Sequence, residues 1–238
     1  MDTIFEALFE NIKAEKDGRH RKELIDYLIM KIDSTPFIYK LLSNYPFLEL
    51  RNVFSNDSCY EKDTPELAER NYWTSWNGNG WESYWKRFLI ELCIVYDEMP
   101  DSAKESFWIL DTKEKWGRLR VDISAYNDRI NDLTNALEML TETTCIQCGR
   151  EHKDSKGHDI IYQSKGWIAP FCRNCFNKRF SVNNSKHGLR LLRSSCRMAI
   201  KPAIETFGKK GHYITYWKKE YGWMYPIKKV EIKDGEDQ

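Results

Sequence analysis

Residues 145–175 read CIQCGREHKDSKGHDIIYQSKGWIAPFCRNC. Cys145, Cys148, Cys172 and Cys175 form two C-x-x-C pairs separated by 23 residues. Two residues between thiolates let one tight turn present both sulfurs to a single ion, and two such turns close a tetrahedral four-sulfur site. Gly149 follows the first pair, at a position where such a turn asks for a left-handed backbone that glycine adopts at little cost. The pattern predicts a zinc ribbon with Cys145, Cys148, Cys172 and Cys175 as ligands of a structural Zn2+, ahead of an iron–sulfur site or a redox pair. A four-cysteine site leaves no position for a reacting water, so the expected ion holds the fold and is not catalytic. His152 and His158, inside the bracket, are expected at the surface or behind the ligands.

Working outward, 238 residues with 41% hydrophobic, 31% charged and 14% aromatic side chains are enough to bury a substantial core. The start MDTIFEALFENIK has neither the basic region nor the apolar run of a secretion signal. The longest apolar stretch, FLIELCIVY, is short for a bilayer and interrupted by Glu91. These features predict a cytoplasmic protein with no membrane contact, a compartment where paired cysteines signal metal more often than disulfide. Cys59, Cys93 and Cys196 read as small buried apolar residues.

The net charge of +1 hides a division. Residues 1–144 carry 18 Lys and Arg against 27 Asp and Glu, and residues 145–238 carry 19 against 9. Between Arg173 and Lys219 stand 12 basic residues and a single acid, Glu205. Lysines and arginines near the cysteines offset the −2 formal charge of four thiolates on Zn2+; the remainder suggests a surface for a polyanion.

Hydrophobic periodicity predicts an α+β protein: a mostly helical N-terminal half, a small β-containing zinc-ribbon region, and a basic helix plus strands at the C-terminus. The expected regions are 1–110, helical, acidic and aromatic-rich; 111–180, strand, helix and ribbon; and 181–238, a basic extension. Ile4, Phe5, Leu8, Phe9 and Ile12 share one helical face, as do Leu24, Ile25, Leu28, Ile29 and Ile32. Thr35-Pro36 and Thr64-Pro65 read as further helix starts. After the Asn77–Gly80 break, Trp81, Tyr84, Trp85, Phe88, Leu92, Val95 and Tyr96 form the apolar stripe of a strong helix, read as core. KWGRLRVDI, residues 115–123, alternates as a half-buried strand, and Ile130, Leu133, Leu137 and Leu140 mark the helix leading to Cys145. HDIIYQ, GWIAPF, HYITYW and WMYPIKKVEI read as strands, and residues 186–207 as a basic helix kinked before Pro202.

Across residues 77–175 the blocks NGNGWESYWKRFLIELC, TKEKWGRLRVDI, TTCIQCG and GWIAPFCRNC resemble a group of uncharacterised phage and prophage zinc-ribbon proteins. These share a Gly-Trp helix start, a KEKFGGLR-like strand and a C-x-x-C-G to GWI to C-x-x-[CH] ribbon. Trp116 and Arg118 stand where that group tends to have Phe and Gly, and the residues after Cys175 extend beyond its shorter members. The resemblance implies the same four metal ligands, the strand packed beside the ribbon, and a phage accessory protein acting in a bacterial host; it carries no activity.

Three functions follow as expectations. The first is a non-enzymatic module docking on DNA or RNA, or on a nucleic-acid-associated host complex, through Arg179, Lys186, Arg190, Arg193, Arg197, Lys201, Lys218 and Lys219. In this reading Arg190, Arg193, Arg197 and Lys201 recur along one helical face, with Tyr213, Tyr216 and Trp217 available for stacking. The second is an inhibitor of a host defence or polymerase complex, binding a host or phage protein through the acidic aromatic half. The third is a degenerate HNH-like nuclease, since GHDI and FCRNCFNKRF resemble parts of that motif. Phe176 stands where its metal-binding His belongs, so hydrolysis lacks a catalytic group.

Overall fold

The structure, a computed structural model, describes residues 3–31, 41, 44–48, 80–151, 161–164, 169–179, 189–192, 203–205 and 212–232. It is an α+β fold in which helices pack with three small antiparallel sheets. Helix α1 (Thr3–Ala14) and helix α2 (Gly18–Lys31) bury Phe5, Phe9, Ile12, Ile25 and Leu28, the residues that their 3.6-residue periodicity put on one face. The helix expected from Thr35-Pro36, and the one from Thr64, lie outside the described residues.

Helix α3 (Glu82–Asp97) is the centre of the core. Trp85, Phe88, Leu89, Ile90, Leu92 and Cys93 are completely buried, so this helix is covered on nearly every side. The aromatic stripe is core, as its spacing predicted. Arg21 of α2 reaches Glu91 of α3 through two parallel N–H···O bonds of 2.6 and 2.8 Å. This bidentate geometry fixes the angle between the helices as well as their separation.

A one-turn helix α4 (Asp101–Lys104) leads into the hairpin of β1 (Ile109–Lys115) and β2 (Arg118–Ile123). Leu119, Val121 and Ile123 point into the core. The expected strand at 115–123 therefore begins three residues later, because Trp116–Gly117 is a turn and residues 109–115 are its partner strand. Helix α5 (Asp128–Glu142) crosses this hairpin and α3; Asn127 caps it by accepting from the Ile130 N–H at 2.9 Å.

Two further sheets stand among the described residues. One has the order β4 (Pro170–Phe171), β3 (Ile161–Ser164), β5 (Leu189–Leu192), and the other β6 (Ala203–Glu205), β7 (His212–Glu220), β8 (Trp223–Ile232). The expected basic helix at 186–207 is overturned where it is described. Leu189–Leu192 pairs with Ile161–Ser164, placing Arg190 opposite Gln163, and Ala203–Glu205 pairs with β7. Neighbouring strands supply the backbone partners that a helix would supply internally, and Pro202, as a proline, has no N–H to donate to a helix. Trp217, Trp223 and Met224 of the last hairpin are buried in the same core cluster as α3, so a single core includes side chains from both ends of the chain.

Both long hairpins turn on an aromatic residue and a glycine at positive φ: Trp116 (55°) with Gly117 (85°), and Tyr221 (47°) with Gly222 (71°). Each turn has the left-handed pair of angles that suits a two-residue hairpin. Glycine accepts them freely, whereas a bulky side chain costs about 1–2 kcal/mol.

Candidate metal centre

The chain leaves α5 through Thr143 and Thr144 into the first cysteine pair. Gly149 has φ of 70°, as its position after the pair predicted, and this curl lets the Gly149 N–H donate to Cys145 O at 2.9 Å. Cys145 N–H donates to Arg150 O at 3.2 Å, and Thr144 and Glu151 pair as an isolated bridge below the turn. The second pair lies where β4 passes into helix α6 (Arg173–Arg179): Cys172 precedes the helix, Cys175 is in its first turn, and the Cys175 N–H points at Cys172 Sγ at 3.3 Å. The two turns are joined by Ile146 N–H donating to Pro170 O at 2.9 Å.

This scaffold brings all four predicted ligands together. The sulfurs of Cys145, Cys148, Cys172 and Cys175 lie within 4.8 Å of one another, with Cys145 and Cys172 buried, Cys175 half-buried and Cys148 at the surface. Cys148 and Cys172 sulfurs stand 3.9 Å apart. That is far beyond a disulfide bond, and close to the spacing of about 3.8 Å that follows from four sulfurs at about 2.3 Å around a tetrahedral ion. The donor set therefore fits one soft, four-coordinate metal ion.

The electrostatics support the same reading. Burial pushes the Cys145 thiol up. Burial also opposes the Cys148 thiolate, but the Arg150 N–H and the neighbouring sulfurs outweigh it and bring this thiol down. Cys175 is raised by burial and by the sulfurs of Cys172 and Cys148. Without a cation, Cys148 thus ionises more readily than Cys145 or Cys175. A divalent ion would remove the mutual repulsion and let all four ionise.

The first turn rests on the start of α3. Gly80 N–H donates to Ile146 O at 2.9 Å, and Trp81, completely buried, donates from its indole Nε1 to Thr144 O at 3.0 Å. A Cβ on Gly80 would lie 2.1 Å from Cys145 O, 2.5 Å from Gly149 N and 2.6 Å from Ile146 O. All three are backbone atoms, so only glycine permits this approach. Sequence reasoning read Gly80 as a chain break and Trp81 as core, and missed that both bed the metal turn. Their adjacency to a helix start, in the same block pattern as the cysteines, was the available signal.

Among the other candidate residues, Arg179 is exposed on α6 with its guanidinium 5.8 Å from the centre of the Phe171 ring. Lys218 faces Glu220 at 3.0 Å, and Lys219 faces Glu151 at 2.6 Å, where the Tyr84 hydroxyl also donates at 2.6 Å. Arg190 sits in β5. Lys186, Arg193, Arg197 and Lys201 lie outside the described residues, as do His152 and His158 of the nuclease reading. Because Arg190 is in a strand, the expected helical face of arginines does not run through it. Trp217 is 2% exposed and cannot stack on a base from solvent. Phe176, at the position where a nuclease would need its histidine, packs edge-on against Phe171 at 6.2 Å.

Among the described residues no helix is long and apolar enough to cross a membrane. No protein-family model, curated protein or solved structure matches the chain.

Proposed function

We propose that the protein is a zinc-stabilised, non-enzymatic binding protein of the phage accessory type, docking through its basic C-terminal half on nucleic acid or on a nucleic-acid-associated host complex. The observation that carries this reading is the closed set of four sulfurs. Four protein ligands saturate a tetrahedral zinc ion, so the metal would organise a surface and would not activate water. The surface it organises is basic. Helix α6, which supplies Cys175, exposes Arg173, Lys178 and Arg179, and it opens the stretch to Lys219 with its single acid.

Zinc quantification on purified protein should return a single ion per chain, without iron or an iron–sulfur absorption band. Binding to labelled oligonucleotides should weaken steeply with salt, and joint Lys178→Glu and Arg179→Glu substitution should lower both the affinity and the slope of that salt dependence. Salt-insensitive or absent binding would count against the nucleic-acid half of the proposal.

A second reading, an inhibitor that binds a host or phage protein, is favoured by a cleft in the acidic half. Phe5, Phe9 and Tyr45 line it with Glu6, Glu10 and Asp97, around a volume of about 580 Å³. Lys13 and the Tyr45 hydroxyl already engage Asp97, at 2.9 and 2.8 Å. Lys13 also pairs with Glu10 at 3.0 Å, so Glu6 and the rings are what suit a basic side chain of a partner protein. A complex recovered from host cells that survives nuclease treatment and is lost on Glu6→Lys with Glu10→Lys would favour this reading over the first.

A further inference from the structure

The two aromatic-glycine turns adopt the same strained backbone and differ in what surrounds the ring. Tyr221 is packed: a Cβ on Gly18 would lie 2.8 Å from its ring, and its carbonyl accepts from Arg87 at 2.7 Å. Its unfavourable backbone angle is offset by contacts within the fold. Trp116 is 67% exposed, and its ring contact is with Lys115, whose Nζ stands 4.9 Å from the ring centre. The turn beneath it is nevertheless firmly mounted. Gly117 N–H donates to the Glu114 carboxylate at 2.7 Å, Leu119 N–H to Thr141 Oγ1 at 3.0 Å, and Arg118 pairs with Glu142 at 3.1 Å. A large indole is thus held outward at a position where Asn would serve the turn better.

We propose that Trp116 is a stacking platform for an unpaired base of single-stranded nucleic acid, with Lys115 contacting the adjacent phosphate; this rests on the nucleic-acid reading above. Stacking on a side chain requires a base whose face is free, which a single strand or a splayed-out nucleotide offers and an intact duplex does not. An indole beside a lysine supplies both elements of sequence-tolerant recognition, a π-face and a cation for the backbone. Placement agrees. The bonds from Leu119 to Thr141 and from Arg118 to Glu142 hold the turn at the C-terminal end of α5, immediately before Cys145. The metal clip and the basic stretch that departs from it are therefore reached from the same end of that helix. Glu138 and Glu142 there are matched by Arg118 and Arg120, which limits their repulsion of phosphate.

The test is fluorescence anisotropy with a labelled oligothymidylate of about 20 nucleotides and its matched duplex, on the full chain and on Trp116→Asn and Trp116→Phe. Trp116→Asn relaxes the turn, so its melting temperature should equal or exceed that of the parent, which separates lost binding from lost folding. Its affinity for the single strand should fall about 10- to 100-fold, Trp116→Phe should recover most of that loss, and the parent should prefer the strand to the duplex. Unchanged strand affinity in a folded Trp116→Asn protein, or equal affinity for strand and duplex, overturns the stacking role while leaving nucleic-acid binding intact. A parent that binds neither oligonucleotide at low salt overturns both.

Discussion

Helix α3 carries two attachments for the C-terminal part of the chain, one at each end of its first two turns. At Gly80–Trp81 it meets the first cysteine turn backbone to backbone, with no room for a single added carbon. At Arg87 it meets the last hairpin through a side chain: the guanidinium donates to Tyr221 O at 2.7 Å and to the Tyr225 hydroxyl at 3.0 Å, and lies 5.1 Å from the centre of the Trp223 ring. The first contact depends on a turn that carries two of the four clustered sulfurs and that a bound metal ion would lock; the second depends on one long side chain that can adjust. The metal attachment should therefore be intolerant and switchable, and the arginine attachment tolerant and permanent.

Removing the metal breaks the comparison most severely. Structural zinc in small domains contributes an apparent binding energy of about 10–16 kcal/mol, so a strong chelator, or Cys145→Ser, should cost at least about 5 kcal/mol here. Thermal denaturation should show the loss, and limited proteolysis should open 145–175 before the β7–β8 hairpin. Simultaneous release of both regions would mean that the two attachments act as one.

Gly80→Ala should follow, at about 3 kcal/mol or more, because the added Cβ can be accommodated only by moving the backbone of Cys145, Ile146 or Gly149. Zinc affinity should fall with stability, read by competition with a chromogenic chelator. A folded Gly80→Ala protein with normal zinc affinity would show that the turn is not bedded on α3.

How much of this could be read from residues alone follows from the range of each interaction. The four clustered cysteines were legible because a C-x-x-C turn is defined within four residues, and α3 was legible because Trp85, Phe88, Leu92 and Val95 repeat with the helix. Strand β1 was not, because only Ile109 and Thr112 of its seven residues are buried and no alternation results. Strand β5 was mistaken for helix because arginines at spacings of three and four imitate a helical face, while its pairing with β3 depends on residues nearly thirty positions away. Gly80 was legible as glycine but not as a contact, since its reason lies at Cys145, which only the tertiary fold brings near.

At the second attachment the expected losses are smaller and depend on shape. Arg87 is buried, which lowers its pKa, and its partners are a carbonyl, a hydroxyl and a ring; its buried Nε has no acceptor among the described residues. Arg87→Ala should cost about 2–4 kcal/mol by leaving a cavity and unpaired oxygens. Arg87→Met leaves the same oxygens unpaired but fills most of the volume and removes the desolvated charge, so a smaller loss of about 1–2 kcal/mol is expected. Equal losses for Ala and Met in urea denaturation would assign the attachment to charge and not to packing.

The smallest effect isolates one bond of that attachment. Tyr225→Phe keeps the ring and removes the hydroxyl that accepts from Arg87, so the direct cost should be about 1 kcal/mol. In an Arg87→Met background no guanidinium needs the hydroxyl, and the same substitution should cost nearly nothing. The difference between the two costs is the coupling energy of the pair, because the neighbouring helix and hairpin are common to all four proteins. A coupling of about 1 kcal/mol would mean that the hairpin is oriented by this bond. A coupling near zero would leave the carbonyl of Tyr221 and the packing of Trp223 as what holds the hairpin to α3, and would make the strained Tyr221–Gly222 turn itself the element that fixes where the hairpin lies.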